Sequence, residues 1–231
     1  MFKEDLIKEV FRSFFGDRIS QVAACGSIVN GRSNASSDLD LLLVLKDHSD
    51  EDLVLCRKVA QRLSSEYKID LSLQYLDELP ANAADFQDGA KGCLALTYIS
   101  SAHFLIGENI FKAMFSSLAK EDLQRSAIKS VGDYLHQMYG ELFESPEDTD
   151  VLRTRAFKYL CRSIIDSFIY YAPTDMEPYK KLDKAAVLQR GIADDKIGHI
   201  VKNISITSPV ILMVKAIENI HRQLWQDLSP Q

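Results

Sequence analysis

The run Asp38-Leu39-Asp40-Leu41-Leu42-Leu43-Val44-Leu45-Lys46 decides the fold, because every residue from Leu41 to Leu45 is apolar whichever way its side chain points. Such a run reads as a central strand covered on both faces, and its two acids then stand at the strand's mouth. Residues 19–25, ISQVAAC, form a short strand before it. Residues 69–75, IDLSLQY, form one after it that alternates strictly, with Ile69, Leu71, Leu73 and Tyr75 on one side and Asp70, Ser72 and Gln74 on the other. Between the last two lies a helical pattern with Leu53, Cys56, Ala60, Leu63 and Tyr67 on one face. Ser49 and Asp52 resemble a capping box at its start, and Asp50, Glu51 and Asp52 suit the positive end of the helix.

Further out, Leu6, Ile7, Val10, Phe11, Phe14 and Phe15 repeat at helical spacing and stop at Gly16, a C-terminal cap. Residues 80–92 read as a loop or loose helix, and 102–111, AHFLIGENIF, as an added edge strand. Beyond about residue 118 strand signals cease. Four helical patterns follow, near 121–143, 151–172, 181–190 and 209–226; Gly191 is expected to cap the third, and Ser208 with Pro209 to open the fourth. The expected fold class is α+β: a small mixed-sheet domain over 1–118, then an all-helical bundle over 119–231.

Composition narrows the chemistry. The 231 residues carry 33 acids against 27 bases, a net charge of −6, which argues against a nucleic-acid partner held by its phosphates. Residues 1–118 hold 12 bases and 17 acids, whereas 119–231 hold 15 and 16, so the surplus acid sits in the first half. Cys25, Cys56, Cys93 and Cys161 are too far apart in sequence for a CxxC pattern and read as reduced thiols. No stretch approaches the roughly 18 apolar residues of a membrane span. With no signal-peptide pattern at the N-terminus, a cytoplasmic protein is expected.

The informative segment is Gly26–Asp40. Asp38 and Asp40 are two residues apart on a strand, so they share a face and can hold one or two hard cations. Magnesium suits them, since it takes carboxylate oxygens, keeps waters and binds substrate phosphates. Asp70, at the start of a neighbouring strand's polar face, is the candidate third carboxylate. Gly26 permits close backbone approach, and Ser27, with the amides of a helix start, can bind phosphate. Together these parts describe a clamp for a metal and a triphosphate.

Gly26, Ser27, Gly31, Ser37, Asp38, Asp40 and Leu41 match the pattern GSxxxGxxxxxSDxDL, and on these residues the chain resembles the polymerase-beta-like nucleotidyltransferase superfamily. It is similar to the small bacterial branch that includes the kanamycin- and streptomycin-type antibiotic enzymes, in which a helical domain also follows the catalytic one. The resemblance implies transfer of a nucleoside monophosphate, AMP if the donor is ATP, from a nucleoside triphosphate to a hydroxyl of a small, aminoglycoside-like acceptor. It implies Mg2+ on Asp38 and Asp40, with Gly26, Ser27 and Ser37 on the nucleotide side. Asp70 would ligate metal or take the acceptor's proton, and Glu141 or Glu144 is a further candidate base. Lys180, Lys181 and Lys184 are candidate triphosphate contacts.

Two other readings stay open on sequence: a minimal nucleotidyltransferase that modifies a protein side chain, and a binding or regulatory module of the same fold. A ribonuclease in the helical half is disfavoured, because no Arg in 119–231 is followed by His at R-x4-H spacing. The near-neutral helical half is also a weaker match to a polycationic acceptor than a strongly acidic wall would be.

Overall fold

The computed structural model describes residues 2–29, 37–87, 89–144, 148–172 and 182–228. It divides into two compact units, Met1–Phe86 with Leu96–Ser117, and Gln87–Ala95 with Leu118–Gln231. The segment Gln87–Ala95 thus belongs with the helical unit, although it precedes the last strand of the sheet. Inside that unit the Cys93 thiol lies 2.9 Å from Ser126 Oγ.

The first unit runs α1 (Glu4–Phe15), β1 (Ile19–Cys25), the short α2 (Gly26–Val29), β2 (Asp38–Leu45), α3 (Asp52–Leu63), β3 (Lys68–Tyr75), and then α4 (Ala95–Ile99, begun in the other unit), β4 (His103–Ile106) and α5 (Ile110–Ser117). The strands form one mixed sheet in the order β3-β2-β1-β4. β1 is antiparallel to β2 and β4, whereas β2 and β3 are parallel, a pairing that needs the crossover α3 supplies. The expected edge strand in 102–111 is β4.

One face of the sheet is packed with Val22, Ala24, Leu39, Leu41, Leu43 and Leu45, joined in one core to Ile7, Val10, Phe11 and Phe15 of α1 and Val59 and Leu63 of α3. Burial of each Val, Leu, Ile or Phe side chain among them is worth about 1.5–3 kcal/mol. Leu42 and Val44, on the opposite face, are buried as well, so the two-sided burial expected of this strand holds.

α3 is rotated from its expected orientation. Leu53 is 76% exposed, and the inward stripe is Asp52, Cys56, Val59 and Leu63. The cause is electrostatic. Asp52, 1% exposed, accepts from Arg18 Nη1 at 2.7 Å and Nη2 at 2.9 Å, from the Ser49 amide at 2.8 Å and from Tyr75 Oη at 3.1 Å. Arg18 also donates to Asp47 Oδ1 at 2.6 Å. One carboxylate therefore ties together the entry to β1, the exit from β2, the start of α3 and the end of β3.

The second unit contains α6 (Lys120–Glu144), α7 (Asp150–Tyr171), α8 (Lys184–Ile192), the short α9 (Gly198–Val201) and α10 (Val210–Leu228). α7 packs against α6, α8 and α10 and buries Phe157, Leu160, Ile164 and Ile169. Thr149 and Asp183 cap α7 and α8 by accepting from Leu152 and Ala186 amides.

Two expected caps fall elsewhere. Gly191 lies inside α8, where an added Cβ would come within 3.0 Å of Ile164 on α7, so it permits helix contact rather than termination. Ser208 Oγ accepts from the Ser205 amide, and the Val210 amide at the start of α10 donates to Asp148 Oδ2 at 3.3 Å. Among the described residues no helix is long and apolar enough to cross a membrane.

The Arg18 contact, followed by the Ser49 amide and the Tyr75 hydroxyl, holds the Asp52 carboxyl below its ordinary pKa against the opposing effect of burial. Its contribution is therefore complete above about pH 4 and is lost as pH falls through the lowered value. Asp52→Asn is expected to lower unfolding free energy by about 1–3 kcal/mol at pH 7 in urea titrations, and the gap to the parent should close below about pH 4.

Candidate functional site

At the other end of the same three strands, β1 stops at Cys25 and the chain turns at Gly26 into α2. Cys25 stands opposite Asp40 on β2, and Asp40 opposite Asp70 on β3. One step outward, Asp38 stands opposite Lys68. Residues in register on adjacent strands share a face, as do residues two apart on one strand. Asp38, Asp40, Lys68 and Asp70 therefore occupy the face opposite that packed by α1 and α3. Adjacent strands are about 4.8 Å apart and alternate residues about 6.7 Å, distances that two carboxylates can bridge around one cation.

Gly26 is required here. Its φ is +83°, and a Cβ at this position would sit 2.0 Å from Asp40 Oδ2. The backbone of the turn is thus pressed against a candidate ligand carboxylate, in a conformation that side-chain-bearing residues rarely adopt.

The three acids are brought to one corner without being closed into a cluster. Asp38 and Asp40 are half-buried and Asp70 is exposed. Asp38 Oδ1 is enclosed and makes no hydrogen bond of normal geometry among the described residues; the Lys68 ammonium lies 2.8 Å from it. Asp38 in turn raises the pKa of Lys68. No group of three or more His, Cys, Asp or Glu among the described residues is assembled as a metal cluster. In kind the donors suit a hard divalent cation, being carboxylate oxygens on one face beside Gly26, where a Cβ would meet Asp40.

Ser37 is half-buried and already engaged in an interaction of its own. Ser27 lies in α2 with its side chain outside the described residues, as are Gly31, Arg32, Lys180 and Lys181 altogether. In the helical unit Glu141 is paired with Arg155 at 2.8 Å, Glu144 is exposed, and Lys184 opens α8. Tyr170 is buried, Tyr159 stacks on Tyr134 at 5.3 Å, and Tyr171 donates to Asp227 Oδ2 at 2.6 Å, so these tyrosines serve the bundle.

Lys68 also stands at this corner, and sequence reading missed it. Its signal was available: it is two residues before Asp70 on an alternating strand, and so on the same face.

Residues 4–91 match the family model for the nucleotidyltransferase domain. No curated protein matches the chain by sequence. Among solved structures, the chain is similar to the crystal structure of spectinomycin adenyltransferase AAD(9) from Enterococcus faecialis with ATP and spectinomycin. The TM-score is 0.58 at 15% identity, over 96% of this chain and 97% of that one. At such identity the likeness is one of fold, and it extends through both units.

Replacing Gly26 with Ala should push the Asp40 carboxylate aside and cost about 1–3 kcal/mol of backbone strain. Circular dichroism is expected to show a folded protein, and titration with Mn2+ a loss of affinity of tenfold or more. Unchanged Mn2+ affinity would mean that Asp40 does not ligate the cation.

Proposed function

From the match of residues 4–91 to the nucleotidyltransferase domain model, we propose that the protein transfers a nucleoside monophosphate, AMP from ATP, to a hydroxyl group of a small acceptor in a magnesium-dependent reaction. The observation that carries this reading is the register that sets Asp40 beside Asp70, with Asp38 on the same face and Gly26 against the Asp40 carboxylate. That corner matches what phosphoryl transfer needs, which is a place to gather negative charge and hold it in line with an acceptor.

Asp38 and Asp40 would hold Mg2+, which when bound supplies charge neutralisation to the triphosphate and to the attacking and leaving oxygens. Gly26, Ser27 and Ser37 lie on the nucleotide side. There the amides at the start of α2 can donate to phosphate oxygens, and the absent Gly26 side chain allows close approach. An acceptor oxygen attacks the α-phosphorus, a new P–O bond forms and pyrophosphate leaves. Asp70 stands where it can take the acceptor's proton or complete the metal's ligand set. Its exposure leaves its oxygens accessible for either role.

The helical unit is assigned to the acceptor. Support comes from the likeness in fold to an enzyme crystallised with ATP and spectinomycin, which extends over nearly the whole of both chains. The acceptor class that follows is a hydroxylated antibiotic-sized molecule. The pairing of Glu141 with Arg155 favours Asp70 over Glu141 as the base.

Incubation with α-labelled ATP, Mg2+ and a panel of aminoglycosides and spectinomycin should yield a labelled adenylylated product and pyrophosphate. Chelation should stop the reaction. Asp38→Ala and Asp40→Ala should each lower the rate about a thousandfold or more while leaving thermal stability close to that of the parent. Transfer that survives both substitutions would remove the metal role assigned to the pair, and a blank panel would remove the antibiotic acceptor.

A further inference from the structure

The Asp38–Lys68 pair is open to two accounts, a solvated surface contact or a working part of the site. As a surface contact it would be worth little, because Lys68 is 76% exposed and Asp38 37% exposed, and exposed pairs are weakly coupled. The position of the pair favours the second account. The ammonium lies 2.8 Å from Oδ1, the one oxygen of Asp38 that is enclosed and lacks a normal hydrogen bond among the described residues. It also sits in register with that ligand and two residues from Asp70 on the same face. Asp38, Asp40 and Asp70 repel one another when no cation is present, and Lys68 brings the positive charge nearest to Asp38 from within the same sheet.

We propose that Lys68 is the resident counter-cation of the carboxylate corner: it neutralises Asp38 in the metal-free protein and is exchanged for the divalent cation when metal and triphosphate bind. The inference rests on the nucleotidyltransferase reading, since it presumes that Asp38 is a metal ligand. The exchange is physically easy. A lysine ammonium is a compact, strongly hydrated charge on a flexible stem, and at this exposure it returns to water at small cost. A divalent cation binds two carboxylates at once, where the ammonium reaches one enclosed oxygen. The site thereby avoids an uncompensated cluster of acids without a rigid salt bridge that the metal would have to break. No bond to carbon or phosphorus changes in this step; one cation replaces another on the same oxygen.

The competition can be measured with Mn2+ alone, by the electron paramagnetic resonance signal of the free ion, in the absence of nucleotide and turnover. Lys68→Met is expected to bind Mn2+ about two- to fivefold more tightly than the parent, the range that release from an exposed ion pair allows. Lys68→Arg keeps the charge and should stay near the parent value. Asp38→Asn should weaken Mn2+ binding and cancel the gain of Lys68→Met when the two are combined. The exposed side chain of Lys68 leaves no cavity on truncation, and circular dichroism checks that each variant is folded. Mn2+ affinity that is unchanged or weaker in Lys68→Met, with Asp38→Asn still reducing it, overturns the counter-cation role and leaves the metal site standing. Mn2+ binding indifferent to Asp38→Asn overturns both.

Discussion

The parallel register of β2 on β3 is the constraint on which the site depends. It aligns Asp40 with Asp70 and Asp38 with Lys68, and a slip of one residue would turn every one of these side chains to the opposite face. Two features hold it. Leu39, Leu41, Leu43 and Leu45 are buried on the face packed by α1 and α3, so a slip would carry acids into the core. At the far end, the Asp52 carboxylate receives Arg18 and Tyr75 together and fixes where β1 begins and β3 ends.

The two ends of these strands solve opposite problems with the same residue types. At the Arg18–Asp52 end a carboxylate is enclosed and fully partnered, an arrangement that stabilises one geometry. At the other end Asp38, Asp40 and Asp70 converge around a turn with a positive φ and a lysine in place of an arginine. There the one ion pair described, Asp38 with Lys68, is exposed, where the Arg18–Asp52 pair is enclosed. Arginine's rigid fork suits the enclosed bidentate pair with Asp52, and the lysine at the other end makes a single contact with one oxygen.

The helical unit is built by ordinary means: side-chain caps on α7 and α8, a glycine that lets α8 approach Ile164, and a central helix buried on most of its circumference. Some of its polar side chains are paired within the unit, as Tyr171 is with Asp227 and Glu141 with Arg155. The segment Gln87–Ala95, which the chain reaches before the sheet is complete, belongs to this unit.

Much of this was legible in the sequence. The apolar run from Asp38 placed β2 to within one residue at its end, β1 was placed to the residue and the alternation of 69–75 placed β3 to within one, and the two-residue spacing of Asp38 and Asp40 put them on one strand face. These features are local, because side-chain periods of 2 and 3.6 and the demands of a tight turn act over a few residues. Long-range partners decided the rest. Leu53 lost its place in the core because Asp52 was drawn in by Arg18, 34 positions away in the chain. Gly191 proved to be a contact glycine because Ile164 lies across from it, and the cap of α10 came from Asp148. Lys68 became part of the site because the parallel register put it opposite Asp38. The sequence by itself determined which residues could form strands and helices and which acids share a strand face. The tertiary structure decided which charges meet, because an ion pair depends on the distance between side chains and the chain's order does not contain that distance.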